Sequence, residues 1–148
     1  MTRSAVFGSS AIGVAALVLA ASPAVMASSA PPVPKTCPPA SVLKAALGQQ
    51  DKAPVMTTTP YARICTYKGT GIIPTKITFQ EDTTQTFAAG EKAAAAFAPV
   101  LTVKGLGKAA WGPKVGGGLY VFVGTYSIKI LAPLVSTAKL EVLARKLL

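Results

Sequence analysis

The sequence predicts an α+β fold: a two-layer sandwich in which a mostly antiparallel sheet carries its helices on one face. Two features predict this class. Short β-rich runs occur in pairs joined by glycine-containing turns, and helical segments lie before, between and after those pairs. Strand pairs separated by helices are typical of an antiparallel sheet with helices gathered to one side. The predicted order of elements is roughly α-β-β-α-β-β-β-α, in a single domain over residues 37–148.

The first predicted helix covers residues 38–47. Pro38 and Pro39 suit a first helical turn, and Gly48 is a typical residue at which a helix ends. The run at residues 55–59 lies between two prolines and fits a short edge strand.

A hairpin is predicted next, from a β-rich run at residues 62–68 to an alternating run at residues 76–81. The second helix is predicted over residues 87–98, because this segment is rich in alanine and Pro99 stops it. Residues 82–84 offer side chains that can cap the start of this helix.

The structural centre of the domain is predicted in residues 103–131, after a strand at residues 100–103. Gly124-Thr125 is a Gly-X pair between two β-rich runs, the pattern of a two-residue type II′ turn, and it sets the register of a hairpin. Three apolar pairs then share one face: Leu119 with Ile130, Val121 with Ile128, and Val123 with Tyr126. The other face carries Tyr120 opposite Lys129 and Phe122 opposite Ser127.

Glycines flank the single tryptophan of the chain, at Gly105, Gly107 and Gly116–Gly118. They lead into a strand rather than a helix, so they predict a tight turn that folds Trp111 back onto the core, and not a phosphate-binding loop. The last helix is predicted over residues 136–146. Its apolar stripe consists of Leu140, Leu143, Ala144 and Leu147.

Residues 1–27 are predicted to be a secretory signal peptide. Arg3 gives a positive start, residues 12–21 form an apolar centre, and Val25-Met26-Ala27 is a small-residue cleavage site. Ser22-Pro23-Ala24 is a competing cleavage site. A retained membrane anchor is the weaker interpretation, because the apolar centre is shorter than the roughly 20 residues of a membrane span. No later segment could span a bilayer.

Residues 28–36, rich in Pro, Ser and Ala, predict a disordered leader. Cys37 follows Pro34-Lys35-Thr36 rather than small apolar residues, so lipid attachment is not predicted. Cys37 and Cys65 are the only cysteines, and in an oxidising compartment they are expected to form a disulfide bond. The product is therefore predicted to be secreted, or held in the cell envelope without a lipid.

The mature chain is strongly basic. Removal of residues 1–27 leaves 14 basic and 5 acidic residues, a formal net charge of +9. This charge favours association with anionic envelope components or acidic proteins. Nucleic acid is not predicted as a partner of an exported chain with three arginines in total, one of them in the signal peptide, and no run of five basic residues.

The sequence offers little catalytic chemistry. The chain has no histidine, which removes Ser/His/Asp and Cys/His nucleophile systems, and two cysteines alone do not complete a zinc site. Glu81-Asp82 is the only adjacent acidic pair, and its position before a helix favours capping. No enzyme activity, cofactor or metal is therefore predicted.

Several short motifs occur in order: Cys65-Thr66-Tyr67 on a strand, the V-x-G-L-G-x-A-A-W segment at residues 103–111, a hairpin and a terminal helix. On these motifs the chain resembles small secreted proteins and lipoproteins of unknown function from actinobacterial envelopes, over most of residues 37–148. It differs from many of them in lacking the lipid-attachment cysteine and in having Lys108 where an acidic residue is common. The resemblance implies an envelope location and carries over no catalytic residue.

The leading hypothesis is an exported, non-enzymatic binding or accessory protein of the cell envelope. Its candidate binding surface joins the hairpin to a neighbouring loop through Tyr120, Phe122 and Lys129 with Lys108, Trp111 and Lys114. Aromatic rings beside lysines suit an amphipathic or anionic partner. Structural roles are an equal alternative: the aromatic residues lie under a second layer or in the core, and the lysines keep the protein soluble. The alternative of another class is a small-molecule or lipid carrier, with an apolar pocket of at least about 300 Å³.

Overall fold

The computed structural model of the 148-residue chain describes residues 32–48, 52–69 and 73–148. The predicted signal peptide and residues 28–31 of the predicted leader lie outside the described residues. Within the described parts of the chain, no helix is both long enough and apolar enough to cross a membrane.

The described residues form three helices and one seven-stranded sheet. The helices are α1 (Ala40–Leu47), α2 (Thr84–Ala95) and α3 (Thr137–Leu147). The strands are β1 (Val55–Thr58), β2 (Ala62–Tyr67), β3 (Thr75–Glu81), β4 (Val100–Thr102), β5 (Ala109–Pro113), β6 (Gly118–Phe122) and β7 (Tyr126–Leu131). Every neighbouring pair is antiparallel, in the order β1-β2-β3-β7-β6-β5-β4. The predicted α+β class is therefore confirmed. Strand β1 is the short edge strand that the run at residues 55–59 predicts, and β5 is a strand that was not predicted.

The β6–β7 hairpin has the register that the sequence predicts. Its pairs include Leu119 with Ile130, Tyr120 with Lys129, Val121 with Ile128, and Phe122 with Ser127. In the turn, Gly124 has a φ of 139°, in the region that favours glycine. The N–H of Val123 donates to the carbonyl of Tyr126 at 2.9 Å. Because successive side chains alternate between faces, this register fixes which hairpin residues enter the core.

Capping residues set the start of α2 three residues earlier than predicted. The Thr83 hydroxyl accepts from the N–H of Thr86, and the Thr86 hydroxyl accepts from the N–H of Thr83. This reciprocal pair satisfies two N–H groups that a helix start otherwise leaves unpaired. The other two helices begin and end within two residues of their predicted bounds, and α1 stops at Gly48 as predicted.

The inner face of the sheet packs against α1 and α3. The side chains of this core are almost fully buried: Ile77, Phe79, Leu119, Val121, Ile128 and Ile130 from the sheet, with Leu43, Leu140 and Leu143 from the helices. Each such burial stabilises the fold by about 1.5–3 kcal/mol. The predicted apolar stripe of the last helix is therefore the one that contacts the sheet.

The disulfide between Cys37 and Cys65 is present and joins the segment before α1 to β2. Closing this loop stabilises the fold by about 3–4 kcal/mol in the chain-entropy account. Structure extends upstream of Cys37, where the sequence predicts that the leader ends. Val33 packs against the core, and the Arg63 guanidinium donates to the carbonyl of Pro34 at 3.2 Å. The end of the predicted leader therefore belongs to the folded domain.

Helix α2 lies on the opposite, outer face of the sheet, which corrects the prediction that all helices share one face. Phe87 of α2 contacts the rings of Trp111 and Phe122. These two residues alternate along their strands with Ala110 and Val121, which belong to the inner core. The physical reason is that the hairpin also presents large apolar rings on its outer side, and α2 removes them from water.

Candidate functional site

The outer face carries a row of stacked aromatic and cationic side chains. Strand pairing places Trp111, Tyr120 and Lys129 side by side on neighbouring strands. The Trp111 and Tyr120 rings stack, with centroids 3.9 Å apart and planes 7° apart. The Lys129 ammonium lies 5.1 Å from the centroid of the Tyr120 ring. The structure thus brings together three of the six residues of the predicted binding surface.

Helix α2 covers Trp111 and Phe122, two of the predicted contact residues. The Phe87 ring centroid lies 6.3 Å from that of Trp111 and 5.5 Å from that of Phe122. Trp111 is 5% exposed and Phe122 is 3% exposed. These two side chains leave too little area to contact a partner directly, so the predicted contact role is corrected to a structural one. Tyr120 and Lys129 are only half-buried.

Trp111 lies in strand β5 rather than in the predicted loop. The turn before β5 contains Gly107, which has a φ of 59°. A Cβ at this position would lie 2.5 Å from the carbonyl oxygen of Phe122. The N–H of Lys108 donates to the same oxygen at 2.8 Å. Glycine therefore permits the close approach by which the chain joins the edge of β6.

Lys108 and Lys114 are not brought to the aromatic row. Both are exposed, and they flank the two ends of strand β5. At a rise of about 3.3 Å per residue, their backbones are roughly 20 Å apart. They cannot contact one small ligand together, so the predicted surface divides into separate parts.

A groove of about 290 Å³ opens between α2 and the outer face. Its lining from the sheet is Gln80, Trp111, Tyr120, Ser127 and Lys129, and its lining from α2 and the residue before its cap is Asp82, Thr86, Phe87, Gly90 and Ala94. A Cβ at Gly90 would meet no neighbour within 4 Å. The missing side chain of Gly90 therefore helps to keep the groove open.

Three polar side chains of this groove, Gln80, Ser127 and Trp111, have no hydrogen-bond partner among the residues that the structure describes. Ser127 is nine-tenths buried, and neither its hydroxyl nor the Gln80 amide bonds to another described residue. The indole N–H of Trp111 is buried without an acceptor in the same described set. An unpaired buried polar group costs about 1–3 kcal/mol. Among the described residues this cost applies to the Trp111 indole N–H, whereas the Gln80 amide is exposed and free to bond to a ligand, and together with the Ser127 hydroxyl these groups make the groove a candidate binding site.

Asp82, in contrast, is engaged at the start of α2. Its carboxylate accepts from the N–H of Thr83 at 2.9 Å and from the hydroxyl of Thr86. This carboxylate therefore supports the helix cap, as the sequence predicts for the Glu81-Asp82 pair.

Beyond the groove, strands β1, β2, β3 and β7 form a part of the outer face that we call the open face. The contacts of α2 with the sheet include those at β4, β5 and β6. The open face consists of ten half-buried or exposed side chains, none of them acidic: Val55, Thr57, Ala62, Ile64, Thr66, Lys76, Thr78, Gln80, Lys129 and Leu131.

A second, larger cleft of about 740 Å³ lies beside the first described residues and the β1–β2 turn. Its lining includes Lys35, Arg63, Glu81 and Asp82. Side chains of both charges do not suit an acyl chain, because desolvating an unpaired charge is costly. This cleft therefore gives the lipid-carrier alternative no support.

The chain matches no protein-family model, no curated protein and no solved structure. The sequence predicts Tyr120 and Lys129 as site residues. It does not predict that Gln80, Ser127 and residues of α2 line the same groove. A usable signal was the Thr83-x-x-Thr86 capping pattern, which starts the helix at Thr84 rather than at Phe87.

Proposed function

We propose that this chain is an exported, non-enzymatic binding protein of the cell envelope, and that its open face binds an anionic polymer. The observation that carries the proposal is the charge of that face. It holds Lys76 and Lys129 and no carboxylate, although the described residues include four acidic side chains elsewhere, Glu81, Asp82, Glu91 and Glu141.

The two lysines lie as diagonal neighbours on adjacent strands. Lys76 pairs with Leu131, two residues from Lys129, so the two positions are roughly 7–8 Å apart. Both positive charges therefore lie on the same face of the sheet, where one extended anion can interact with the two of them. Thr66 lies directly opposite Lys76, and Thr78 directly opposite Lys129. Each lysine therefore has a hydroxyl beside it that can donate to an anionic oxygen.

Features of the sequence support the location and the class. The predicted signal peptide, the net charge of +9 after its removal and the resemblance to actinobacterial envelope proteins all favour an extracytoplasmic site. The absence of histidine from the chain favours binding over catalysis. Sequencing the N-terminus of protein recovered from outside its host cells is expected to give a start near Ser28. Recovery only in membranes, with Met1 retained, would contradict export without an anchor.

The binding proposal is tested with sulfated dextran as a defined polyanion and neutral dextran as its uncharged counterpart. The mature protein is expected to bind the sulfated polymer at low salt and to bind it more weakly at high salt, because exposed charges are screened. Replacing both Lys76 and Lys129 by Gln is expected to weaken binding about tenfold or more, since each lysine near an anionic surface contributes about 1 kcal/mol.

The matched control replaces Lys44 and Lys139 by Gln, which removes the same charge from exposed positions on α1 and α3. This variant is expected to bind within about twofold of the parent protein. Equal losses in both double variants would show attraction by net charge alone and would contradict a specific face. Hydrolysis of any envelope polymer by the purified protein would contradict the non-enzymatic class.

A further inference from the structure

We infer that the groove beside α2 is a subsite for one hydroxyl-rich ring that carries a negative charge, so that the polymer is an acidic polysaccharide. This inference rests on the proposed function, because it specifies the ligand of the same outer face. The groove is continuous with the open face, since Gln80 and Lys129 belong to both.

The lining of the groove combines aromatic rings with unpaired polar groups. Tyr120 supplies a half-buried ring, whereas the Phe87 and Trp111 rings behind it are only 6% and 5% exposed, and Gln80 and Ser127 supply an amide and a hydroxyl without described partners. The C–H face of a sugar ring is apolar and packs on aromatic side chains, whereas its hydroxyls need donors and acceptors at the rim. The groove therefore offers an aromatic surface for the C–H face of a sugar ring and polar groups for its hydroxyls.

The size and polarity of the groove disfavour an acyl chain. Its volume of about 290 Å³ is at the lower end of small-molecule sites, which begin near 300 Å³. That space suits one ring rather than a long chain. An acyl chain would also cover Ser127 and Gln80 without giving either a hydrogen-bond partner, which costs free energy.

The charged side chains of the groove determine the orientation in which a charged sugar ring binds. Lys129 lies at the sheet side, and among the described residues its ammonium makes no ion pair. Asp82 lies at the start of α2, where its carboxylate repels an anion and accepts from hydroxyls. A charged sugar unit therefore places its anionic group toward Lys129 and its neutral hydroxyls toward Asp82.

The test uses a disaccharide that contains one hexuronic acid, with the neutral disaccharide of the same hexoses as its counterpart. Binding is followed by calorimetry and by the fluorescence of Trp111, the only tryptophan. Gly90→Leu is expected to fill the groove and to weaken binding of the acidic disaccharide at least about tenfold. The neutral disaccharide is expected to bind the parent protein several-fold more weakly, because it lacks the partner for Lys129.

The matched control is Ala89→Leu, which adds the same side chain at an exposed neighbouring position outside the groove. It is expected to leave binding within about twofold of the parent. A second variant, Ser127→Ala, removes one hydroxyl with little change in volume and is expected to weaken binding about three- to tenfold. Circular dichroism checks that each variant is folded.

The outcomes separate the groove from the open face. One outcome is that sulfated dextran binding depends on Lys76 and Lys129, while the acidic disaccharide binds Gly90→Leu and Ser127→Ala with the same affinity as the parent. In that case the groove assignment is wrong and the proposed function stands. If neither ligand binds, both are wrong. Anionic lipid vesicles that bind the parent protein, lose affinity with Gly90→Leu and displace the disaccharide would show a lipid head group as the occupant and would overturn the polysaccharide inference.

Discussion

The hydroxyl of Tyr67 donates a hydrogen bond of 2.7 Å to the backbone carbonyl of Pro38. Tyr67 is fully buried and follows Cys65 by two residues on β2, so both side chains point to the inner face. The disulfide therefore holds residue 37 and the tyrosine holds residue 38, immediately before α1. The Cys65-Thr66-Tyr67 motif thus fixes the start of α1 against the sheet.

Replacing Tyr67 by Phe is expected to lower the free energy of unfolding by about 1 kcal/mol, because the carbonyl of Pro38 loses this donor. The measurement is denaturant unfolding with the disulfide intact. The control is Tyr61→Phe, at a side chain that is 73% exposed, which is expected to change stability by less than about 0.5 kcal/mol. Equal stabilities for Tyr67→Phe and the parent would show that this hydrogen bond contributes nothing measurable.

Replacing glycine by alanine is expected to have opposite effects on stability at two positions, Gly90 and Gly107. Gly90→Ala is expected to stabilise the fold by about 1 kcal/mol, because a Cβ there meets no neighbour within 4 Å and alanine favours the helix. Gly107→Ala is expected to destabilise it by about 1–3 kcal/mol or more, because φ is 59° and the Cβ would lie 2.5 Å from the Phe122 carbonyl oxygen. Thermal unfolding measures both. A stable Gly107→Ala variant would contradict the close approach of the turn to β6.

Burial raises the pKa of the Tyr126 hydroxyl above its ordinary value of about 10. At alkaline pH the unfolded chain therefore releases this proton before the folded chain does. The stability that the protonated hydroxyl contributes is present below pH 10 and is lost as pH rises through the raised pKa. The free energy of unfolding is expected to fall less steeply above pH 10 in Tyr126→Phe than in the parent. Parallel stability curves for the two proteins would contradict this pKa shift.

Local patterns predicted the parts of the fold that depend on neighbouring residues. The register of the β6–β7 hairpin followed from Gly124-Thr125 and from the alternation around it. The stop of α1 at Gly48 and the apolar stripe of α3 followed from helix geometry. The disulfide followed from cysteine number and the expected compartment.

The placement of α2 could not be predicted in this way. Both sides of the hairpin carry apolar side chains, Val121 on the inner face and Phe122 on the outer face. An alanine-rich helix with one buried aromatic residue, Phe87, does not specify which face it covers. Strand β5 was missed because it is short and contains Gly112 and Pro113, both of which disfavour strands. The groove depends on the distance between helix and sheet, so no single segment encodes it.

The most direct test of the proposed binding face maps where an acidic oligosaccharide contacts the folded protein. Amide and indole N–H signals of the isotope-labelled mature chain are followed by NMR during titration. We predict that the largest changes lie on the outer face and its groove, at Lys76, Gln80, Gly90, Trp111 and Lys129, and that they diminish with added salt. Changes concentrated on α1 and α3, or no change at a saturating concentration of the oligosaccharide, would contradict the proposed binding face.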